Sequence, residues 1–510
     1  MAETTLLGID VGTTGCKATL YSLDGLPLRT GYAEYQMHSP REGWVEEDAE
    51  DWWRGVVASV HAVTAEPAVA AGISGVGVGC TNALVAVDAE GAPLRPAIMQ
   101  LDQRTVPQAD WLREVAGAED LFHTTGNRVA PGSYSAPLIL WLKQHEPEVY
   151  AAAHKFLVPS GFVVQRLTGH FTMDYSRGST TALFDIRKRA WSEHLLGLAG
   201  IPRAKLPDLY ESSQVVAGVG EAAAAATGLL PGTPVVAGCM DTVGAAVGSG
   251  AVVPNRPFAI MGTVARVAVA LAEPRFDDRF LNCCHAVPGQ WLAIAVMNGA
   301  GISLRWFRDV FGQTEVTLAR ESGRDPYDLF GEQAAESAPG AGGLIYLPYL
   351  AAERSPIWDP YARGVLFGLS VAHRRADVIR AIMEGVALSV RHNLEIMEAS
   401  LCEPSERLGI GGGCARSALW NQIIADATRH GIVTLRASET ETLGAAVLAG
   451  VGTGAYADFA EALERTVRQE REFAPNLENG FAYDEMFAIY TQLYQDLRPR
   501  FAEAARRLQR

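Results

Sequence analysis

Four residues near the start of the chain have the types and spacing to handle phosphate. In Leu6–Gly25, "LLGIDVGTTGCKATLYSLDG", Asp10 is followed closely by Gly12, Thr13 and Thr14. Glycines remove side chains that would hold a polyphosphate away, threonine hydroxyls and backbone amides donate hydrogen bonds, and a carboxylate can orient hydrated Mg2+. The same residues also suit a plain hairpin with a glycine turn and an aspartate at a strand end. Two nucleotide motifs are excluded. Cys16 separates Gly15 from Lys17, which breaks a Walker A loop, and Gly8, Gly12 and Gly15 lack the GxGxxG spacing.

A second copy of the pattern stands in "FAIMGTVARVAVALAE", where an apolar run meets Gly262 and Thr263 and then resumes. Two opposed hairpins of this kind can clasp phosphates from both sides. A third segment, "RLGIGGGCARSALWNQIIADAT", ends an apolar strand in Gly411, Gly412 and Gly413 and leads into a helix. Glycines there admit a flat base or a phosphate to the backbone, and a helix start favours an anion. A tight strand-to-helix connection would have the same composition. Asp241 closes the strand "PVVAGCM" ahead of "TVGAAVG". Taken by itself it reads first as a helix N-cap; a general base that accepts a proton from a sugar hydroxyl would also sit at such a strand end.

The elements that must position these groups are legible around them. Leu6 to Asp10 and Lys17 to Leu23 read as strands about the first glycine turn. "RADVIRAIMEGVALSVRHNLEIME" and the C-terminal "AIYTQLYQDLRPRFAEAARRLQR" carry helical spacing. Alternating strands and helices with two similar hairpins predict two α/β domains built alike by internal duplication. The turn-rich "SGAVVPNRP" sets the seam, giving residues 1–251 as an N-terminal domain with the first hairpin, and 252–510 as a C-terminal domain ending in a helix. With 510 residues the chain is too long for one ordinary core. A formal charge of -15 disfavours nucleic acid or an anionic membrane as a partner. Seven scattered cysteines without metal-ligand spacing fit a reduced, cytoplasmic setting, and no apolar run is long enough for a membrane span.

Taken in order, these segments resemble the FGGY family of carbohydrate kinases, and within it the xylulokinases. "GWVEEDAEDWW", "LRPAI" with Asp102 and Arg104, "RLTGHFTMDYSRGSTTALFDIRKRAWS", "YLPYLAAERSP", "RAIMEGVALS" and "ETLGAAVLAGVGTG" extend the match from about residue 6 to 455. The resemblance implies two actin-like (ribonuclease H-like) domains with a catalytic cleft between them, ATP and Mg2+ as cofactors, and a small sugar or polyol as the other partner. It implies Asp10 as the Mg2+-associated carboxylate, Asp241 as the catalytic base, and Gly12, Thr13, Thr14, Gly262 and Thr263 as phosphate contacts. Gly411, Gly412, Gly413 and Asn421 correspond to the adenosine site, and Thr81, Asn82, Asp102 and Asp241 to the acceptor site. A homodimer is compatible with the sequence, which does not fix the oligomer.

The departures from the xylulokinase pattern fall at the acceptor. Cys80-Thr81-Asn82 stands where a Gln-Met-His run is usual, Gln100 replaces a tryptophan, Ser160-Gly161 replaces a Lys-Asp pair, and Val264 takes the place of a common serine. The expected reaction is phosphorylation of D-xylulose to D-xylulose 5-phosphate, the alternatives being ribulose, gluconate or a tetritol. A sugar sensor without transfer and an ATPase acting on protein partners are rival readings. Retention of both Asp10 and Asp241 counts against the first, and the GGG and "LPYL" segments against the second.

Overall fold

The computed structural model describes residues 3–436 and 439–508. The chain forms two compact α/β units, each assembled from separate stretches of sequence. The first comprises Met1–Val252, Ala270–Leu292 and Glu439–Arg468; the second comprises Val253–Val269, Ala293–Ser438 and Gln469–Arg510.

In the first unit, strand Thr5–Val11 pairs antiparallel with Gly15–Ser22, in register from Thr5 opposite Ser22 to Val11 opposite Cys16. On its other side it runs parallel to Ile73–Cys80, which in turn carries Cys239–Met240 in parallel. Nearly every residue of Thr5–Val11 is buried, as expected of a strand covered on both faces. The helix Ala49–Thr64 packs against Gly15–Ser22 and Pro27–Glu34. Its Trp52 is fully buried and donates Nε1–H to Glu47 at 2.6 Å.

The helix Thr440–Thr453 returns from far along the sequence to lie on strands Thr5–Val11 and Ile73–Cys80. Glycines permit so close an approach: a Cβ on Gly8 would stand 1.8 Å from the Thr442 carbonyl oxygen, and one on Gly77 1.9 Å from that of Ala445. Helix Asp241–Gly248 crosses the same helix through Gly244 and Gly444, where a Cβ on Gly444 would meet the Gly244 carbonyl oxygen at 1.9 Å. Gly8→Ala must therefore push the helix off the sheet. We expect it to destabilise the protein by about 3 kcal/mol or more, read by urea or thermal unfolding; unchanged stability would contradict this seating.

The second unit repeats the pattern. Pro257–Met261 pairs antiparallel with Ala265–Leu271 and parallel with Arg407–Gly411, which runs parallel to Gly431–Leu435. In both units a hairpin is flanked on its first strand by two successive parallel strands, so the duplication read from the two glycine-threonine turns is present in the sheets. The two periodic segments form helices Arg375–Ser400 and Leu477–Leu508. All seven cysteines are free, and among the described residues no helix is long and apolar enough to cross a membrane.

Candidate functional site

Register brings the chemistry of the first unit together. Val11 lies beside Cys80, and Cys80 beside Met240, so the parallel strands end level and Thr81 and Asp241 emerge side by side at their carboxyl edge. Ligands of open α/β sheets bind at this edge. The hairpin tip reaches the same place: the Gly12 amide donates to the Gly15 carbonyl at 3.0 Å, Tyr35 Oη donates to the Gly12 carbonyl at 2.6 Å, and the Thr81 amide donates to the Val11 carbonyl at 2.9 Å. Thr14 is exposed, and Thr13 Oγ1 lies 3.1 Å from Thr81 Oγ1. Gln100 Nε2 donates to the same Thr81 hydroxyl at 3.2 Å, while Asn82 Nδ2 donates to the Ser133 carbonyl at 2.6 Å.

Asp241 begins its helix, and its Oδ1 accepts the Thr242 amide at 2.6 Å and the Thr242 hydroxyl at 3.0 Å. Its side chain keeps 27% of its surface exposed, enough to meet a ligand while remaining fixed. Asp10 sits on the strand across Ile73–Cys80 from the one that leads into Asp241, opposite Lys17 and beside Gly79. Its Oδ1 is buried with no hydrogen-bond partner. Burial first, then the Asp241 and Glu441 carboxylates, push the Asp10 carboxyl up to about 7. A buried carboxylate oxygen without a donor, in the field of a second carboxylate, has the chemistry to take a cation. Among the described residues no group of three His, Cys, Asp or Glu side chains is placed to hold a metal alone. The Asp10 carboxylate fits Mg2+, which binds through one or two carboxylates and completes its shell with water and substrate phosphates.

Asp102 has a different place from the other acceptor candidates. It is fully buried, its oxygens taken by the Arg104 guanidinium at 2.7 to 2.9 Å, the Arg104 amide at 2.8 Å and the Val45 amide at 2.7 Å. Arg104 is itself held over the Trp44 ring at 3.6 Å. This is an internal brace that follows strand Ala97–Met99 and Gln100, with no carboxylate oxygen left for a sugar.

The second unit contains a cavity of about 390 Å³ lined by Gly262, Thr263, Gly301, Arg305, Tyr327, Met383, Gly413, Ser417 and Trp420, among others. The hairpin turn is mounted on the helix Gly301–Phe311: the Gly301 and Ile302 amides donate to the Gly262 and Thr263 carbonyls at 3.0 and 2.9 Å, and Arg305 Nη2 donates to Thr263 Oγ1 at 3.0 Å. Thr263 is exposed at the tip. Three residues separate the paired Met261 and Ala265, against four between Val11 and Cys16, so the second turn is one residue tighter.

Of the three consecutive glycines, Gly413 lines the cavity, whereas Gly411 and Gly412 pass behind it. Gly412 has φ +86°, and a Cβ there would meet the Met261 carbonyl oxygen at 2.7 Å. Asn421 is fully buried and donates to the Ala415 carbonyl at 2.7 Å, so it supports the turn from within. Gly301, Arg305, Tyr327 and Met383 were not anticipated. Gly301 and Arg305 had a readable cue in the glycine-led amphipathic "GISLRWFRD". Tyr327 and Met383 come from helices whose sequence marks only their own packing.

Comparison with known proteins matches the chain in two successive stretches. Residues 5–248 match the FGGY family of carbohydrate kinases, N-terminal domain, and residues 258–453 match the C-terminal domain of that family. The chain is 32% identical over 499 residues to a xylulose kinase of Bacillus subtilis (strain 168), covering 96% of each chain. It is 28% identical over 508 residues to a gluconokinase of Bacillus licheniformis, covering 98% of this chain and 97% of the other. The crystal structure of xylulose kinase from Rhodospirillum rubrum superposes with a TM-score of 0.89 at 29% identity, over 98% of this chain and all of that one.

Proposed function

Because the chain belongs to the FGGY family of carbohydrate kinases, we propose that it transfers the γ-phosphoryl group of ATP to a hydroxyl of a ketopentose or related polyol, with D-xylulose yielding D-xylulose 5-phosphate. The observation that carries this reading is the placement of Asp241 at the carboxyl edge of the sheet, held by Thr242, partly exposed and adjacent to Thr81.

Asp241 accepts the proton of the attacking hydroxyl as the bond to phosphorus forms. Thr81, Asn82 and Gln100 orient the acceptor through neutral hydrogen-bonding groups. In the first unit Gly12, Thr13 and Thr14, and in the second unit Gly262 and Thr263, carry hydroxyl and amide donors of the kind phosphoryl oxygens accept. The cavity beside Gly413 and Trp420 takes the adenosine. Asp10 would hold Mg2+, which would neutralise charge on the transferring group. No step requires a phosphoenzyme.

The charge pattern favours a neutral acceptor over an aldonate. The cations nearest the carboxyl edge are committed: Lys17 pairs with Glu439 at 2.5 Å, and Arg177, with 1% of its side chain exposed, is bound to the Cys80 carbonyl. An aldonate carboxylate at this edge would meet Asp241 and Asp10, with Lys17 and Arg177 already paired.

The test is coupled ADP release with D-xylulose, D-ribulose, D-gluconate and erythritol. ADP release is expected to rise most with a ketopentose. Preference for gluconate would overturn the neutral-acceptor reading, sugar binding without ADP release would make the protein a sensor, and sugar-independent hydrolysis would make it an ATPase.

A further inference from the structure

The fully buried Arg177 is used by none of the steps above. It lies in the short helix Tyr175–Gly178, whose N-cap Asp174 accepts the amides of Ser176 and Arg177. The Ser176 hydroxyl accepts the Met240 amide at 2.9 Å, which ties this helix to the strand leading into Asp241. The Arg177 guanidinium points into the same place: Nη2 donates to the Cys80 carbonyl, stands 3.9 Å from Asp241 Oδ1, and its Nε is buried without a partner. Cys80 directly precedes Thr81 and Asn82.

We propose that Arg177 is a positioning residue that spans the end of strand Ile73–Cys80 and Asp241, fixing the acceptor-contacting segment Thr81-Asn82 relative to the base. The inference rests on the reading of Asp241 as that base. A buried guanidinium is costly unless paired and hydrogen-bonded. Here the compensating groups are those of the site: Asp241, Asp174 and the Cys80 carbonyl, with Asp10 also within its field. An ordinary core position in this small-residue run, "DYSRGSTTALFD", would be filled at less cost by an apolar side chain. The planar fork of arginine can address a carbonyl and a carboxylate at once, which a lysine ammonium does as a point charge with less directional control.

The experiment compares wild type, Arg177→Met and Arg177→Lys, measuring kcat and KM for D-xylulose and the Kd for ATP, with a thermal melt for each. Arg177→Met is expected to lower kcat/KM for the acceptor by about 100-fold, as a misplacement of around an ångström would, while the ATP Kd is unchanged. Arg177→Lys is expected to recover kcat while the acceptor KM stays raised. Acceptor kinetics of Arg177→Met equal to wild type would overturn the proposal, and so would Arg177→Lys doing no better than Arg177→Met, since volume alone would then explain the residue. Should Arg177→Met not fold, Arg177→Lys and Arg177→Gln decide by the same split between kcat and KM. Asp241→Asn, measured alongside, separates the two readings: near wild-type turnover in that variant removes the base, whatever Arg177 does.

Discussion

Asp241→Asn is expected to lose turnover by roughly 10³-fold while binding ATP as the wild type does. Asparagine preserves the shape of the side chain and can keep the bond from the Thr242 amide, now 2.6 Å. It cannot take up a proton from the acceptor hydroxyl. Asp241 is not among the residues that line the cavity proposed for the nucleotide, Gly262, Thr263, Gly301, Gly413 and Trp420, so the substitution alters none of them. Isothermal titration with ATP and a steady-state ADP-release assay separate the two properties. Turnover near that of the wild type would remove Asp241 from the chemistry.

The second large effect is expected at Asp10, where activity and stability should move in opposite directions. Asp10→Asn removes the carboxylate that would seat Mg2+, and turnover is expected to fall by roughly 10²- to 10³-fold with a raised Mg2+ requirement. The stability argument follows from the buried carboxyl, which holds its proton to about pH 7 in the fold and to 3.8 when unfolded. Between those values the folded state binds more protons than the unfolded state, so stability falls as pH rises, and the full penalty is present above about 7. The asparagine variant escapes a cost of up to about 4 kcal/mol at pH 8. Without nucleotide or Mg2+, it should melt higher than wild type at pH 8 and match it at pH 4. A lower melting temperature at pH 8 would contradict the electrostatic account of Asp10.

The parts legible in the sequence were those set by local pattern. The first hairpin could be read because β-branched and apolar runs flank a glycine turn, and the second because it repeats the first. Asp241 could be placed at a strand-to-helix junction, though local pattern could not show that its strand ends level with Cys80, since that register is a tertiary fact. Segment 439–468 shows why domain limits were harder. Its helix Thr440–Thr453 has an ordinary buried composition, and glycines distant in sequence seat it, Gly8 and Gly77 on the first sheet and Gly248 on the helix Asp241–Gly248. Asp102 illustrates a different difficulty. A carboxylate two residues from an arginine looks the same whether it meets a sugar or forms an internal bridge, and burial made it the bridge. Arg177 carried no signal, because its meaning lies in the carbonyl and the carboxylate that other segments bring to it.

The central claim is direct phosphoryl transfer from ATP to a sugar hydroxyl. It is tested most directly by following ATP and D-xylulose with the protein by 31P NMR. The account predicts a new sugar phosphate monoester resonance growing one for one with ADP, abolished by Asp241→Asn. ADP accompanied by inorganic phosphate, with no sugar phosphate, would contradict it.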